Sequence, residues 1–262
     1  MAEKPKKKVV RVETDASNPP KKPTWKPTPE AKGKATKFRL LAALLWLLAI
    51  GGEAFAIFWV LKQDPINMVI LIGSIVVIGI LAISGSILWK KANRADPAPK
   101  SDAARFFFQN QLGAIITIIA FLPLIIWIFR SKDMDSKQKG IAGGIGIAVA
   151  LVAMFFGADF NPPSVEQYDD ETAVVVAITG EDLVYWTKSG RVYHLCEEAS
   201  DVQRESQDGI IYSGTVGDAH ADGKERLTLK VDQEIAQCGF EPLDDDADAE
   251  DDEPAVEPSD EA

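Results

Sequence analysis

Residues 40–61 read LLAALLWLLAIGGEAFAIFWVL, an apolar stretch of 22 residues interrupted by one acid, Glu53. At ~1.5 Å of rise per residue, about 20 apolar residues cover the ~30 Å hydrocarbon core of a bilayer. The stretch therefore reads as a membrane-spanning helix with a carboxyl group within about one turn of its middle. A charged carboxylate at that depth costs about 3 kcal/mol or more unless it is protonated, paired or wetted. Glu53 is thus the first residue to ask about.

Three more runs share this character, at about 67–89, 106–129 and 140–158. A short turn with Pro65 separates the first two spans, and a basic loop with Pro97 and Pro99 separates the second from the third. Pro123 lies inside the third span and predicts a kink. In the fourth, Ala142, Gly146 and Ala150 recur every four residues, and Gly140 with Gly144 forms a second such row. Small residues at this spacing let helix backbones approach closely. They are expected to pack inside the bundle, as are Ala82 and Ser86 of the second span. Residues 40–158 should therefore form an all-α membrane bundle of four transmembrane helices.

The net charge of −11 over 262 residues conceals opposite ends. Residues 1–39 carry 12 Lys/Arg and 4 acids, with prolines throughout, and read as a disordered basic arm. Residues 244–262 carry 11 acids and no base and read as a disordered acidic tail. About forty polar residues before the first apolar run do not match a signal peptide. Lys32, Lys34, Lys37 and Arg39 lie directly against the first span, which favours anionic lipid head groups over nucleic acid as the arm's contact. The arm holds 12 Lys/Arg, the loop between spans two and three holds 5, and the loop between spans one and two holds 1. This bias places the N-terminus in the cytoplasm of a multi-pass cell-membrane protein. The loop between spans three and four, with 4, fits less well. Four spans return the C-terminal domain to the cytoplasm; one re-entrant segment would leave it extracytoplasmic.

After a linker at 159–171, residues 172–243 read as a small α+β soluble domain. AVVVAIT (173–179) reads as a buried strand. DLVYWT (182–187) and RVYHLC (191–196) read as a hairpin turning through Lys188-Ser189-Gly190, with Gly190 supplying positive φ. IIYSGTV (210–216) reads as a strand, followed by a short helix that Thr215 and Asp218 cap and that ends near Gly223. ERLTLKV (225–231) can be a strand, and DQEIAQC after it a helix. About seventy residues make a small core that a disulfide or a metal would help.

For chemistry, the sequence offers no nucleotide loop, no Ser-His-Asp arrangement and no HExxH, so no catalytic or cofactor-binding residue is assigned. Besides Glu53, the spans bring only Ser74, Ser84, Ser86 and Thr117 to depth, a thin set for an ion or proton relay. A structural or partner-facing role for Glu53 is therefore expected over transport. His194, Cys196 and Cys238 could supply three metal ligands, but a structural zinc takes four. A disulfide between Cys196 and Cys238, or two inert thiols, is the favoured reading.

VYWTKSGRVYHLC (184–196) and IYSGTVGDAHADGKERL (211–227) together resemble a recurrent module of actinobacterial membrane proteins. In it, a YWT–G–YH strand pair leads to a Cys, and a GT…A…G turn and helix lead to a closing Cys. The matching residues are Tyr185, Trp186, Thr187, Gly190, Tyr193, His194, Gly214, Thr215, Ala219 and Gly223. The module is also similar to the Cys-rich tails of some secreted nucleases, in which paired cysteines close it. The whole layout is similar to corynebacterial accessory membrane proteins, some of which accompany the respiratory cytochrome bc–oxidase assembly. The resemblance implies a non-enzymatic accessory or scaffold subunit whose partners are other membrane subunits. A small transporter using Glu53, and a metal or redox sensor using His194, Cys196 and Cys238, are the alternatives.

Overall fold

The computed structural model describes residues 25–206 and 208–242. The acidic tail and most of the basic arm lie outside the described residues. Four long helices come first: α1 (Pro29–Phe58), α2 (Met68–Ala95), α3 (Ala103–Arg130) and α4 (Ser136–Gly157). All four are long and apolar enough to cross a membrane. Residues 29–39, expected to belong to the disordered arm, are instead the first three turns of α1. The helix begins where the local chemistry starts it: Thr28 caps it by accepting from the Ala31 N–H, and Pro29 occupies the first turn, where its missing N–H costs nothing. Caps also fix the other starts, at Asn67, Asp102 and Asp135, the last within a capping box with Gln138.

The bundle is packed by small residues. The inward face of α1 carries Ala42, Trp46, Ala49, Glu53 and Ala56, with alanines every seven residues, and Val60 in the turn after it is buried too. This face lies so close to α2 that a Cβ on Gly85 would stand 2.6 Å from Trp46 Nε1. On α4, Ala142, Gly146, Ala153 and Gly157 are buried. At Gly157 the backbone reaches α3 directly: a Cβ on Gly113 would stand 2.7 Å from the Gly157 carbonyl oxygen. Between these contacts Leu71, Ile75, Ile78, Phe121, Leu124 and Ile128 fill the centre. Without a hydrophobic drive between helices in lipid, such close fits supply the association.

The C-terminal domain comprises α5 (Val165–Thr179), β1 (Val184–Trp186), β2 (Val192–Tyr193), α6 (Ser200–Glu205), β3 (Tyr212–Gly214), α7 (Val216–Ala221), β4 (Arg226–Leu227) and α8 (Val231–Cys238). β1 pairs antiparallel with β3, and β2 pairs parallel with β4. Two expectations are corrected here. AVVVAIT is the last half of helix α5: Tyr168, Val175 and Ile178 form one buried stripe, Ser164 caps the start, and Gly180 ends the helix at φ 84°. The helical period and its two caps outweigh the β-branched residues. The segments around residues 184 and 194 meet only through the reciprocal bonds of Tyr185 with His194, so the full hairpin does not form. Gly190 is not in positive φ. It is needed for space, since a Cβ there would stand 2.8 Å from Thr187 Oγ1. The Thr215–Asp218 capping box and the turn at Gly223 (φ 92°) form as read.

The domain docks on the end of the bundle that carries the start of α1 and the α2–α3 loop. Lys34 pairs with Asp222 at 2.7 Å, and the Tyr168 hydroxyl donates to the Arg94 carbonyl at 2.9 Å. Glu166 accepts from the backbone N–H groups of Lys100 and Ser101. Trp25 packs its ring edge-on against Tyr168 and covers Gly217.

Candidate functional site

Glu53 faces inward from α1 and is 5% exposed. Its Oε1 accepts from the backbone N–H of Leu124 at 3.2 Å. Leu124 follows Pro123, which brings no N–H to the α3 ladder and disturbs the turn before it. Proline is tolerated in membrane helices when neighbouring groups engage the backbone it disturbs, and Glu53 supplies an acceptor to the N–H directly after Pro123. The acid therefore does not face an external partner. Three of the other deep polar groups also bond to backbone: Ser74 to the Ile70 carbonyl, Ser86 to that of Ala82, and Thr117 to that of Gly113, while half-buried Ser84 has no hydrogen bond among the described residues.

The two rows of small residues on α4 separate. Ala142 and Gly146 are buried in the bundle and Ala150 packs against its core. Gly140 and Gly144 face outward, and a Cβ on either would meet nothing within 4 Å.

In the domain, Cys196 and Cys238 form a disulfide. Both sulfurs are thus engaged with each other, and His194 Nδ1 is 2.6 Å from Glu234 Oε1. The other Glu234 oxygen accepts from the Leu195 N–H at 2.9 Å. The three residues considered as metal ligands therefore form a structural clasp, in which the segment directly after β2 and α8 are joined by a covalent bond and a buried carboxylate. Among the described residues, no group of three or more His, Cys, Asp or Glu is placed to hold a metal ion.

A polar centre that the sequence did not reveal lies at the seam between bundle and domain. His220 stacks on Tyr168, with ring centroids 3.8 Å apart and planes 8° apart. Its Nε2 is 2.7 Å from Glu171 Oε2, and its Nδ1 is 2.9 Å from the Lys224 carbonyl. Tyr193 and Gln167 also donate to Glu171. Burial alone would push the Glu171 carboxyl up, but the bonds from His220, its charge, and the Tyr193 and Gln167 bonds outweigh that and hold it below the usual carboxylate range. Burial pushes the Tyr168 and Tyr193 hydroxyls up, so both remain neutral donors. Lys224 is 3% exposed, and its ammonium donates to the Thr187 and Gly190 carbonyls; burial pushes its pKa down. Beside this centre is a cavity of about 210 Å³, lined by Arg94, Asp159, Asn161, Tyr168, Arg191 and His220 among others. The one local signal for this arrangement was Ser164 with Gln167 three residues on, a helix start inside the presumed linker.

No family model, no curated protein and no solved structure matches the chain. The architecture itself defines the class: an integral membrane protein with four span-capable helices and a docked C-terminal domain.

Proposed function

We propose that the chain is a non-enzymatic accessory or scaffold subunit of a larger membrane complex, in the manner of the respiratory assemblies its layout resembles. The observation that carries this reading is the use of the polar groups inside the bundle. Glu53, Ser74, Ser86 and Thr117 each bond to backbone within the bundle. Apolar side chains fill the space between the helices. A relay needs polar groups that face one another or water along a path; here they support helix geometry. Partner contact falls to the outward face of α4, around Gly140 and Gly144, and to the docked domain. The test is extraction of the tagged protein from its native membrane in mild detergent, with mass spectrometry of what co-purifies. Stoichiometric membrane partners, weakened by truncation after Ser164, which removes the domain from the start of α5, are expected. Recovery of the protein alone from both forms would contradict the proposal.

A second reading rests on the disulfide. This reading takes the orientation that the Lys/Arg bias favours, with an even number of spans and the domain on the cytoplasmic side, where thiol buffers keep most cysteines reduced. A Cys196–Cys238 bond there would respond to redox state, making the domain a redox-sensing element. Trapping thiols in intact cells with an alkylating mass tag tests this. A tag on Cys196 and Cys238 that varies with oxidant supports it; a bond that stays closed under reductant in the cell contradicts it.

A further inference from the structure

The cavity at the seam is lined by two opposite charges that make no ion pair within hydrogen-bond range among the described residues; the Lys90 ammonium, which donates to the Ala158 carbonyl at 2.6 Å, acts on Asp159 only through the longer-range field. Asp159 follows the end of α4 by two residues and is 8% exposed. Its Oδ1 accepts weakly from the Asn161 N–H at 3.4 Å, and its Oδ2 has no hydrogen-bond partner among the described residues. A buried carboxylate oxygen without a donor is costly, so such an oxygen marks a place where a donor is expected. Arg94, in the last turn of α2, lines the same cavity, and its guanidinium has no hydrogen bond or ion pair among the described residues.

The other charged groups on the wall are engaged. Arg191 pairs with Glu225 at 2.6 Å, Lys224 is held by backbone carbonyls, and both ring nitrogens of His220 have partners. What remains is one anion and one cation facing a small polar space. A zwitterion with N–H donors at its positive end satisfies both through charge-assisted bonds. The position narrows the source. Trp89 and Phe160 lie within a few residues of Arg94 and Asp159, and Phe160 is 74% exposed. Exposed aromatic rings are typical of the membrane–water boundary, where lipid head groups lie.

We infer that this cavity binds a phosphoethanolamine group, its ammonium donating to Asp159 and its phosphate accepting from Arg94, and that the group is the head of an aminophospholipid in the adjacent leaflet. The chemistry ranks the common alternatives below it. A choline head has no N–H to give Asp159. A glycerol head can satisfy Arg94 with its phosphate but offers Asp159 only neutral hydroxyl donors, a weaker match than an ammonium.

The test uses the purified full chain in detergent. Short-chain phospholipids whose head groups run from ethanolamine through N-methyl and N,N-dimethyl to choline are titrated in, and binding is read by native mass spectrometry. Affinity should fall stepwise along the series, by about tenfold overall, as expected for losing a charge-assisted hydrogen bond. Arg94→Gln should weaken all members about tenfold. Asp159→Asn should erase the preference for ethanolamine over choline. Equal affinities along the series in the unaltered protein, or phosphatidylglycerol binding as tightly as phosphatidylethanolamine, overturns the proposal without recourse to any variant. Soluble phosphoethanolamine identifies the source. Failure to displace the lipid at millimolar concentration supports a membrane lipid, and displacement with equal affinity overturns the lipid assignment.

Discussion

The bundle and the domain handle buried polar groups in opposite ways. At mid-depth in the bundle, single side chains bond to single backbone groups, as Glu53 does to Leu124 and Thr117 to Gly113; side chains meet near its docked end, where Asn93 donates to Asn110 and, with Trp89, to the Gln109 carbonyl. In the domain, side chains form networks: Glu171 gathers Tyr193, Gln167 and His220, and Glu234 joins His194 to the Leu195 backbone. The difference follows from what each region can bury. The bundle has long helices whose small residues bring backbones together, and lipid covers the rest. The domain has two two-stranded sheets, short helices and a core of about ten residues, too little to be secure without cross-links.

The strongest way to break this contrast is to open the disulfide. Cys196→Ser with Cys238→Ser should cost the domain about 2–5 kcal/mol, as removal of a native disulfide does in small domains. The helices should remain intact. Loss of helical signal in step with loss of domain fluorescence would show that the two regions are not separable in this way. In the bundle the corresponding weak point is the α3–α4 crossing. Gly157→Val should destabilise by about 1–3 kcal/mol through overpacking, whereas Gly144→Val, on the outward face, should change the unfolding midpoint little. Equal effects from the two would refute the assignment of faces.

Glu53 sharpens the comparison because its bond is explained by one neighbour. Glu53→Leu should cost about 1–3 kcal/mol by removing the carboxyl acceptor of the Leu124 N–H. In a Pro123→Ala background, where α3 can close its own ladder, the cost should shrink, giving a coupling of about 1 kcal/mol in a double-mutant cycle. Additive effects would mean that Glu53 acts through something else.

The domain's network should show in pH dependence. Glu171 is held below the usual carboxylate range, so its contribution to stability is present above that range and lost as pH falls through its lowered value. Denaturant midpoints across the acid range should decline on this limb, and Glu171→Gln should flatten it; an unchanged limb in the variant would remove Glu171 from the account. The smallest effect is expected at Lys34–Asp222, whose side chains are 42% and 43% exposed. Solvent and salt screen such a pair, so Lys34→Ala should change stability by no more than about 0.5 kcal/mol.

The bundle was legible because hydropathy and length act through every residue of a span. The inward row of Ala142 and Gly146 could also be read, since small residues at fourfold spacing have one evident use. The role of Glu53 could not, because it depends on Pro123, which lies 70 residues away and is brought close only by packing. In the domain, the Thr215–Asp218 cap was visible because capping is local. The β-branched run at 173–179 misled because its helical stripe begins earlier, at Tyr168, inside what read as linker. The seam centre was invisible for the same reason: Arg94, Asp159, Glu171, Tyr193 and His220 come from five separate segments, and none has a local signature.

On the proposed reading, the polar groups inside the bundle serve structure and leave no route across it. The decisive measurement is proton and cation flux through the purified chain in sealed liposomes. Flux indistinguishable from empty vesicles is expected, with and without an imposed potential. Flux well above that baseline, abolished by Glu53→Gln in a protein that still folds, would contradict it.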